Sequence, residues 1–326
     1  MAGAVATFPV GFNAGLTLRN VPALQMHSGR VFWVSNSNVV QRNEQPGSDS
    51  GRGDFNRPFA TLNYALTQCT ANQGDIIFVK PGHAETISAA GGVTMSASGT
   101  SVIGLGTYNT RPKFTFGTLT SATFLISGSN CFVTNLWCTS ALAAVVTAFQ
   151  VTGAGNVIDN IRFTSNSSIL DFLTCITGSS TLNAVDGLTV GNCNWTTTTA
   201  TDLSLINFAG TAADVTVWNN HMNTAGTGFA AFACSNLINI QTGKILTNAD
   251  IGWNRVWNAM TQGEVLISCD GSTNTGFVHN NYVQCQDTTT TIDLGADVTG
   301  FGLFQNKVVT TNALSGFLLP AADVNL

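Results

Sequence analysis

Seven stretches of the chain share one frame: Val133-Thr134-Asn135-Leu136-Trp137-Cys138, Ile158-Asp159-Asn160-Ile161-Arg162-Phe163, Val190-Gly191-Asn192-Cys193-Asn194-Trp195, Val217-Trp218-Asn219-Asn220-His221-Met222, Gly252-Trp253-Asn254-Arg255-Val256-Trp257, Val278-His279-Asn280-Asn281-Tyr282-Val283 and Phe304-Gln305-Asn306-Lys307-Val308-Val309. The third residue of each is asparagine, and these asparagines follow one another at intervals of 25, 32, 27, 35, 26 and 26 residues. The position two before each is apolar except at Gly252, and the position three after is always apolar. Apolar side chains on both flanks of a polar residue fit two short strands meeting at a bend. Asparagine suits that bend because it tolerates left-handed backbone geometry and bonds locally. Asn135, Asn160, Asn192, Asn219, Asn254, Asn280 and Asn306 are therefore expected to stack as one ladder.

A third apolar run precedes most of these bends and breaks at glycine, as in 122–128, 148–153, 173–178, 203–210, 264–271 and 290–295. Three strands per period of 20 to 50 residues indicate a solenoid. The fold expected is all-β, a single-stranded right-handed parallel β-helix with a short N-terminal capping helix. Residues 102–106 read as an earlier coil, with Gly104 in the asparagine's place. A sandwich or jelly roll would share the Thr- and Gly-rich composition but not a fixed frame recurring seven times. Only 9% of residues are charged and 44% are hydrophobic, as suits coils that bury their inward side chains. The expected division is an N-terminal arm and cap strand over 1–45, a cap over 46–90 and the helix body over 91–326.

The net charge of −5 and only 12 Lys and Arg argue against a nucleic-acid partner, and the sequence shows no basic stripe. The opening residues lack a charged leader and an apolar core, which predicts no secretory export. No apolar run approaches 18 residues, so no membrane partner is expected. Cys131, Cys138, Cys175, Cys193, Cys234 and Cys269 lie in strand-like text and read as reduced core side chains, without metal spacing. Asn166 and Asn194 begin sequons that read as accidental matches in a chain expected not to be exported.

Residues 47–66 and 74–87 read as a Gly/Asp turn, a short amphipathic helix near 58–70 with Pro58 in its first turn, and a strand at 75–80. Such a helix would close the open end of the first coil. This stretch, Gly51-Arg52-Gly53-Asp54 through Arg57-Pro58-Phe59-Ala60-Thr61-Leu62 to Gly74-Asp75-Ile76-Ile77-Phe78-Val79-Lys80-Pro81-Gly82 and Glu85, resembles the N-terminal cap of pectate-lyase-like β-helix proteins. In particular it is similar to β-helical virion proteins of tailed bacteriophages. The likeness covers about 40 residues and implies the fold and a homotrimer. It does not imply an activity, because lyases, hydrolases, tailspikes and structural virion proteins share the cap.

Catalytic residues, cofactor and metal ligands are expected to be absent. The acids are scattered; the nearest to a cluster, Asp171, Asp202 and Glu264, read as solvated residues at strand starts. His83 and Glu85 read as structural, and Arg52-Gly53-Asp54 as a turn, not an integrin ligand. Arg162, His221 and Arg255 stand at unequal offsets from their asparagines and so do not group. Phe8, Phe12 and Leu24 lie in a Pro- and Gly-broken arm that cannot form its own core, which predicts an attachment segment. The leading functional expectation is a non-enzymatic capsid decoration or cement protein of a tailed phage, made in the host cytoplasm, located on the capsid surface, with itself and the major capsid protein lattice as partners. The alternative is a tailspike or receptor-binding protein that binds or cleaves a host surface glycan.

Overall fold

A computed structural model describes residues 17–18, 21–22, 29–36, 45–164, 170–197, 204–224, 236–258, 266–269, 273–285 and 300–310. Within them the chain is a parallel β-solenoid of three long sheets, with ten, nine and seven strands. Every neighbouring pair in these sheets is parallel and joins one coil to the next, as from Phe132–Thr134 to Val157–Asp159. The first sheet runs from Val31–Val34 to Phe301–Phe304, the second from Ala84–Ile87 to Lys307–Thr310, and the third from Val93–Met95 to Ile267–Cys269.

Period-two alternation fixes the register. One inward column of the first sheet is Phe32, Ile77, Val102, Val133, Ile158, Val190, Val217, Ile251, Val278 and Leu303. All but Leu303 are buried, and Leu303 packs against the same core. The facing columns bring aromatic rings together: the Phe124 and Phe149 centroids lie 5.0 Å apart and those of Phe149 and Phe163 5.9 Å apart. A one-residue slip would turn such a column to solvent, so a continuous apolar column is strong specification.

The asparagine series divides at this register. Asn135, Asn160, Asn192, Asn219 and Asn280 occupy the bend between the first and second sheets with φ of 51 to 60°. Asn254 and Asn306 do not. At their coils the left-handed residues are Trp253 and Gln305, with φ of 62 and 55°, and the asparagine comes one residue later. Asn254 and Asn306 fall instead in the next, inward column, which reads Leu136, Ile161, Cys193, Asn220, Asn254, Asn281, Asn306, and all seven are buried. There is thus an outer ladder and an inner ladder. In the outer one Asn160 Nδ2 donates to Asn135 Oδ1 at 3.3 Å and Asn219 Nδ2 to Asn192 Oδ1 at 2.7 Å. In the inner one Asn220, Asn254 and Asn281 each donate from Nδ2 to Oδ1 of the next member at 3.0 Å. Each also donates its backbone N–H to that same Oδ1, at 2.9 to 3.1 Å. The physical reason for the displacement is the alternation itself: shifting these two coils by one residue puts Ile251 and Leu303 inward in place of Gly252 and Phe304.

The solenoid also begins earlier than residue 91. Val31–Val34 already pairs in parallel with Ile76–Val79, and that strand with Ser101–Gly104. Gly104 pairs in line with the coil bearing Asn135, as the 31-residue interval requires. The capping helix is shorter than 58–70, spanning Leu62–Thr67 with Thr61 as N-cap. Pro58 lies outside it, because Asp49 accepts hydrogen bonds from Ala60 N and Thr61 N and so fixes the start later. Leu62, Ala65 and Leu66 are buried. Glu85 accepts from Leu62 N at 2.9 Å and from buried His83 at 3.1 Å, so this pair serves the cap. Buried Lys80 donates to Phe55 O at 2.6 Å and lies 4.0 Å from the Phe55 ring centroid. Asp54 takes up Arg57 and closes the turn holding Arg52-Gly53-Asp54. Phe8, Phe12, Leu24, Cys234, Asp202 and Glu264 lie outside the described residues. No helix among the described residues is long and apolar enough to cross a membrane.

Candidate functional site

Two residues after each left-handed bend the chain enters the second sheet with an outward side chain. The register aligns Lys113, Trp137, Arg162, Asn194, His221, Arg255, Tyr282 and Lys307 in that column. The column is cationic and aromatic and contains no acid. Lys113 Nζ lies 4.8 Å and Arg162 Cζ 4.9 Å from the centroid of the Trp137 ring. Arg111 extends the positive face at its N-terminal end, donating to Asn160 Oδ1 at 2.9 Å and Asn160 O at 3.2 Å. Five of the 12 Lys and Arg, namely Arg111, Lys113, Arg162, Arg255 and Lys307, share this one face. A basic stripe is therefore present, contrary to the linear reading.

That reading missed the stripe through the displaced frame. Measured from Asn254, Arg255 sits at a different offset from Arg162 and His221; measured from Trp253, all three sit two residues past the bend. Burial, and then the neighbouring Arg255 charge, pushes the His221 pKa down. Burial, then Arg162, does the same to Arg111. Both shifts follow from cations crowded along a partly desolvated surface.

At the C-terminal end of the stripe a cleft of about 550 Å³ opens beside the bend, bordered by Trp253, Arg255, Asn280, Tyr282, Gln305 and Lys307. Trp253 is 58% and Tyr282 43% exposed. On the opposite side of the bend the outward column of the first sheet sets glycines before aromatic rings: Gly191, Trp218, Gly252, His279, Phe304. The glycines are needed there, since a Cβ at Gly191 would meet the Trp218 ring at 2.4 Å and one at Gly252 the His279 ring at 2.5 Å. His279 stacks on Phe304 with centroids 4.8 Å apart, and its Nε2 lies 2.7 Å from Asp250 Oδ1. A second cleft of about 370 Å³ on this side is lined by Asp214, Asp250, Phe277, His279 and Phe304. The acids are thus less scattered than their sequence positions suggest, for Asp214 and Asp250 come to one place.

Asp214 Oδ1 accepts from Asn248 at 2.7 Å, and Asp250 is 59% exposed. Asp171 is not a solvated residue at a strand start: it is buried and accepts from Thr197 Oγ1 at 2.6 Å and Phe172 N at 2.7 Å. Among the described residues no group of three His, Cys, Asp or Glu is placed to hold a metal ion. Cys131, Cys138, Cys175, Cys193 and Cys269 are buried thiols, and desolvation raises Cys193 to about 12.

No protein-family model and no curated protein matches the chain. Among solved structures, a rhamnogalacturonan lyase is similar over 89% of this chain and 90% of that chain, at 11% identity and a TM-score of 0.38. A likeness at that level carries no argument about activity.

Proposed function

We propose that this chain is a non-catalytic structural protein of a tailed-phage virion, a decoration or cement protein on the capsid surface, made in the host cytoplasm. The cap resemblance supports the virion setting, and the solenoid supplies a rigid body for it. The observation that carries the non-catalytic half is the state of Asp214 and Asp250, which share a cleft among the described residues: both are solvent-facing and already engaged, by Asn248 and His279. In this reading the chain assembles as a homotrimer and meets the major capsid protein lattice through its N-terminal arm.

A second reading, a tailspike or receptor-binding protein that binds or cleaves host glycan, is favoured by the cation–aromatic face. The two part on turnover. Purified protein offered acidic and neutral polysaccharides should release neither reducing ends nor unsaturated uronates. Release abolished by Asp214→Asn or Asp250→Asn would replace the first reading with the cleaving form of the second.

A further inference from the structure

At the bend between the first and second sheets, five coils place Asn and one places Gln in the left-handed region; only one places a tryptophan there, Trp253 at φ 62°. Asparagine is among the residues that tolerate this conformation, whereas a bulky side chain there is an outlier that the surroundings must hold in place. The coil also gives up an amide in the outer ladder. Strain of this kind, held by the rest of the fold, is a reason to look for a use, and the ring is 58% exposed at the rim of the cleft.

What surrounds the ring specifies a ligand. Tyr282, on the next coil and 43% exposed, offers a second aromatic surface. Arg255 and Lys307 bracket Tyr282 along the stripe, and among the described residues neither meets a carboxylate within ion-pair distance. Asn280 Nδ2 donates to Gln305 Oε1 at 2.9 Å, leaving amide groups at the cleft wall. Two apolar faces that accept the C–H side of a ring, amides that match hydroxyls and two cations that meet no carboxylate among the described residues fit one chemistry: a sugar bearing a carboxylate. We infer that the Trp253–Arg255–Tyr282–Lys307 cleft binds a carboxylated sugar unit of an acidic polysaccharide, with the cationic stripe from Lys113 to Lys307 guiding the rest of the polymer along the solenoid.

This site deepens the glycan-binding form of the second reading. It does not depend on whether the chain is mounted on a particle, so it can fail while the virion reading stands.

The test uses the full chain and follows heat release by isothermal titration calorimetry, a readout that does not depend on Trp253, during titration with an alginate hexasaccharide, an α2,8-linked sialic acid tetramer, cellohexaose and a thymidine decanucleotide. At least one carboxylated oligosaccharide should bind about tenfold or more tighter than cellohexaose and the decanucleotide, more weakly as salt rises. Trp253→Asn should cost about tenfold or more in that binding while raising the melting temperature, because it restores the residue the bend prefers. Arg255→Gln and Lys307→Gln, at exposed positions where folding is not at stake, should each cost binding as well. Absence of binding to both acidic sugars, equal binding of cellohexaose, tighter binding of the decanucleotide, or unchanged affinity in Trp253→Asn and Arg255→Gln would each overturn the assignment.

Discussion

Replacing Asn254 with leucine tests the inner ladder where it is driest. Asn254 Oδ1 accepts from Asn220 N at 2.9 Å and Asn220 Nδ2 at 3.0 Å, and its Nδ2 donates to Val217 O at 3.0 Å and Asn281 Oδ1 at 3.0 Å. Leucine deletes all four bonds and adds volume to a fully buried position, which adds an overpacking cost. Asn281 Oδ1 retains the backbone N–H of residue 254, but two donors of Asn220 lose their acceptor in a fully buried column. At about 1–3 kcal/mol for each stranded group, less the added apolar burial, the cost is about 3–5 kcal/mol. An unfolding entropy of about 2.1 cal/mol/K per residue gives roughly 0.7 kcal/mol/K for this chain, hence a fall in melting temperature of about 4–7 °C. The control is Asn219→Gly in the outer ladder. Its one donated side-chain bond, to Asn192, lies at a half-buried bend that water reaches, and glycine accepts φ of 51° without strain, so the loss should stay below about 1 kcal/mol. Differential scanning calorimetry on both variants decides. An Asn254→Leu midpoint within about 1 °C of the parent, or an Asn219→Gly loss as large as that of Asn254→Leu, would show that the inner column is not a buried amide stack.

His221, held below its ordinary 6.5 by burial and by Arg255, should titrate below that value by NMR, and Arg255→Gln should move it back up. Because the unfolded chain then takes up this proton first, its contribution to stability is lost as pH falls below about 6.5 and is present above it. The buried thiols should resist a soluble disulfide reagent in the native protein and react on denaturation, since desolvation withholds the thiolate, at Cys193 up to about 12. Prompt native reaction at Cys193 would contradict the packing described. Sedimentation should report a homotrimer, and deleting residues 1–28, which spares the Arg30 backbone that pairs with Ile76 and Asp75, should leave the β-sheet circular dichroism and melting intact while weakening attachment; full particle occupancy by the truncated chain would remove the arm from that role.

The solenoid was legible in the sequence because its signal is doubly redundant: each coil repeats both a polar bend and two apolar columns. The exact anchor was not, since Asn219-Asn220 and Asn280-Asn281 present two adjacent asparagines and a reader following identity chooses either. Following the apolar columns instead places Ile251 and Leu303 inward and assigns the bend to Trp253 and Gln305. That one-residue correction also reveals the stripe, for it aligns Arg255 with Arg162 and His221. The shared cleft of Asp214 and Asp250 was less legible, because it depends on Asp214 lying on the turn before one strand and Asp250 inside the next. Buried Lys80 gave no signal either; its acceptor, Phe55 O, comes from a turn 25 residues away.

The virion assignment is tested most directly by protein mass spectrometry of gradient-purified phage particles from the source of this sequence, with copy number measured against the major capsid protein. The chain should co-purify with particles in many copies, in a fixed ratio to the capsid lattice. Its absence from intact particles, with the chain recovered only from the unassembled fraction, would contradict the assignment.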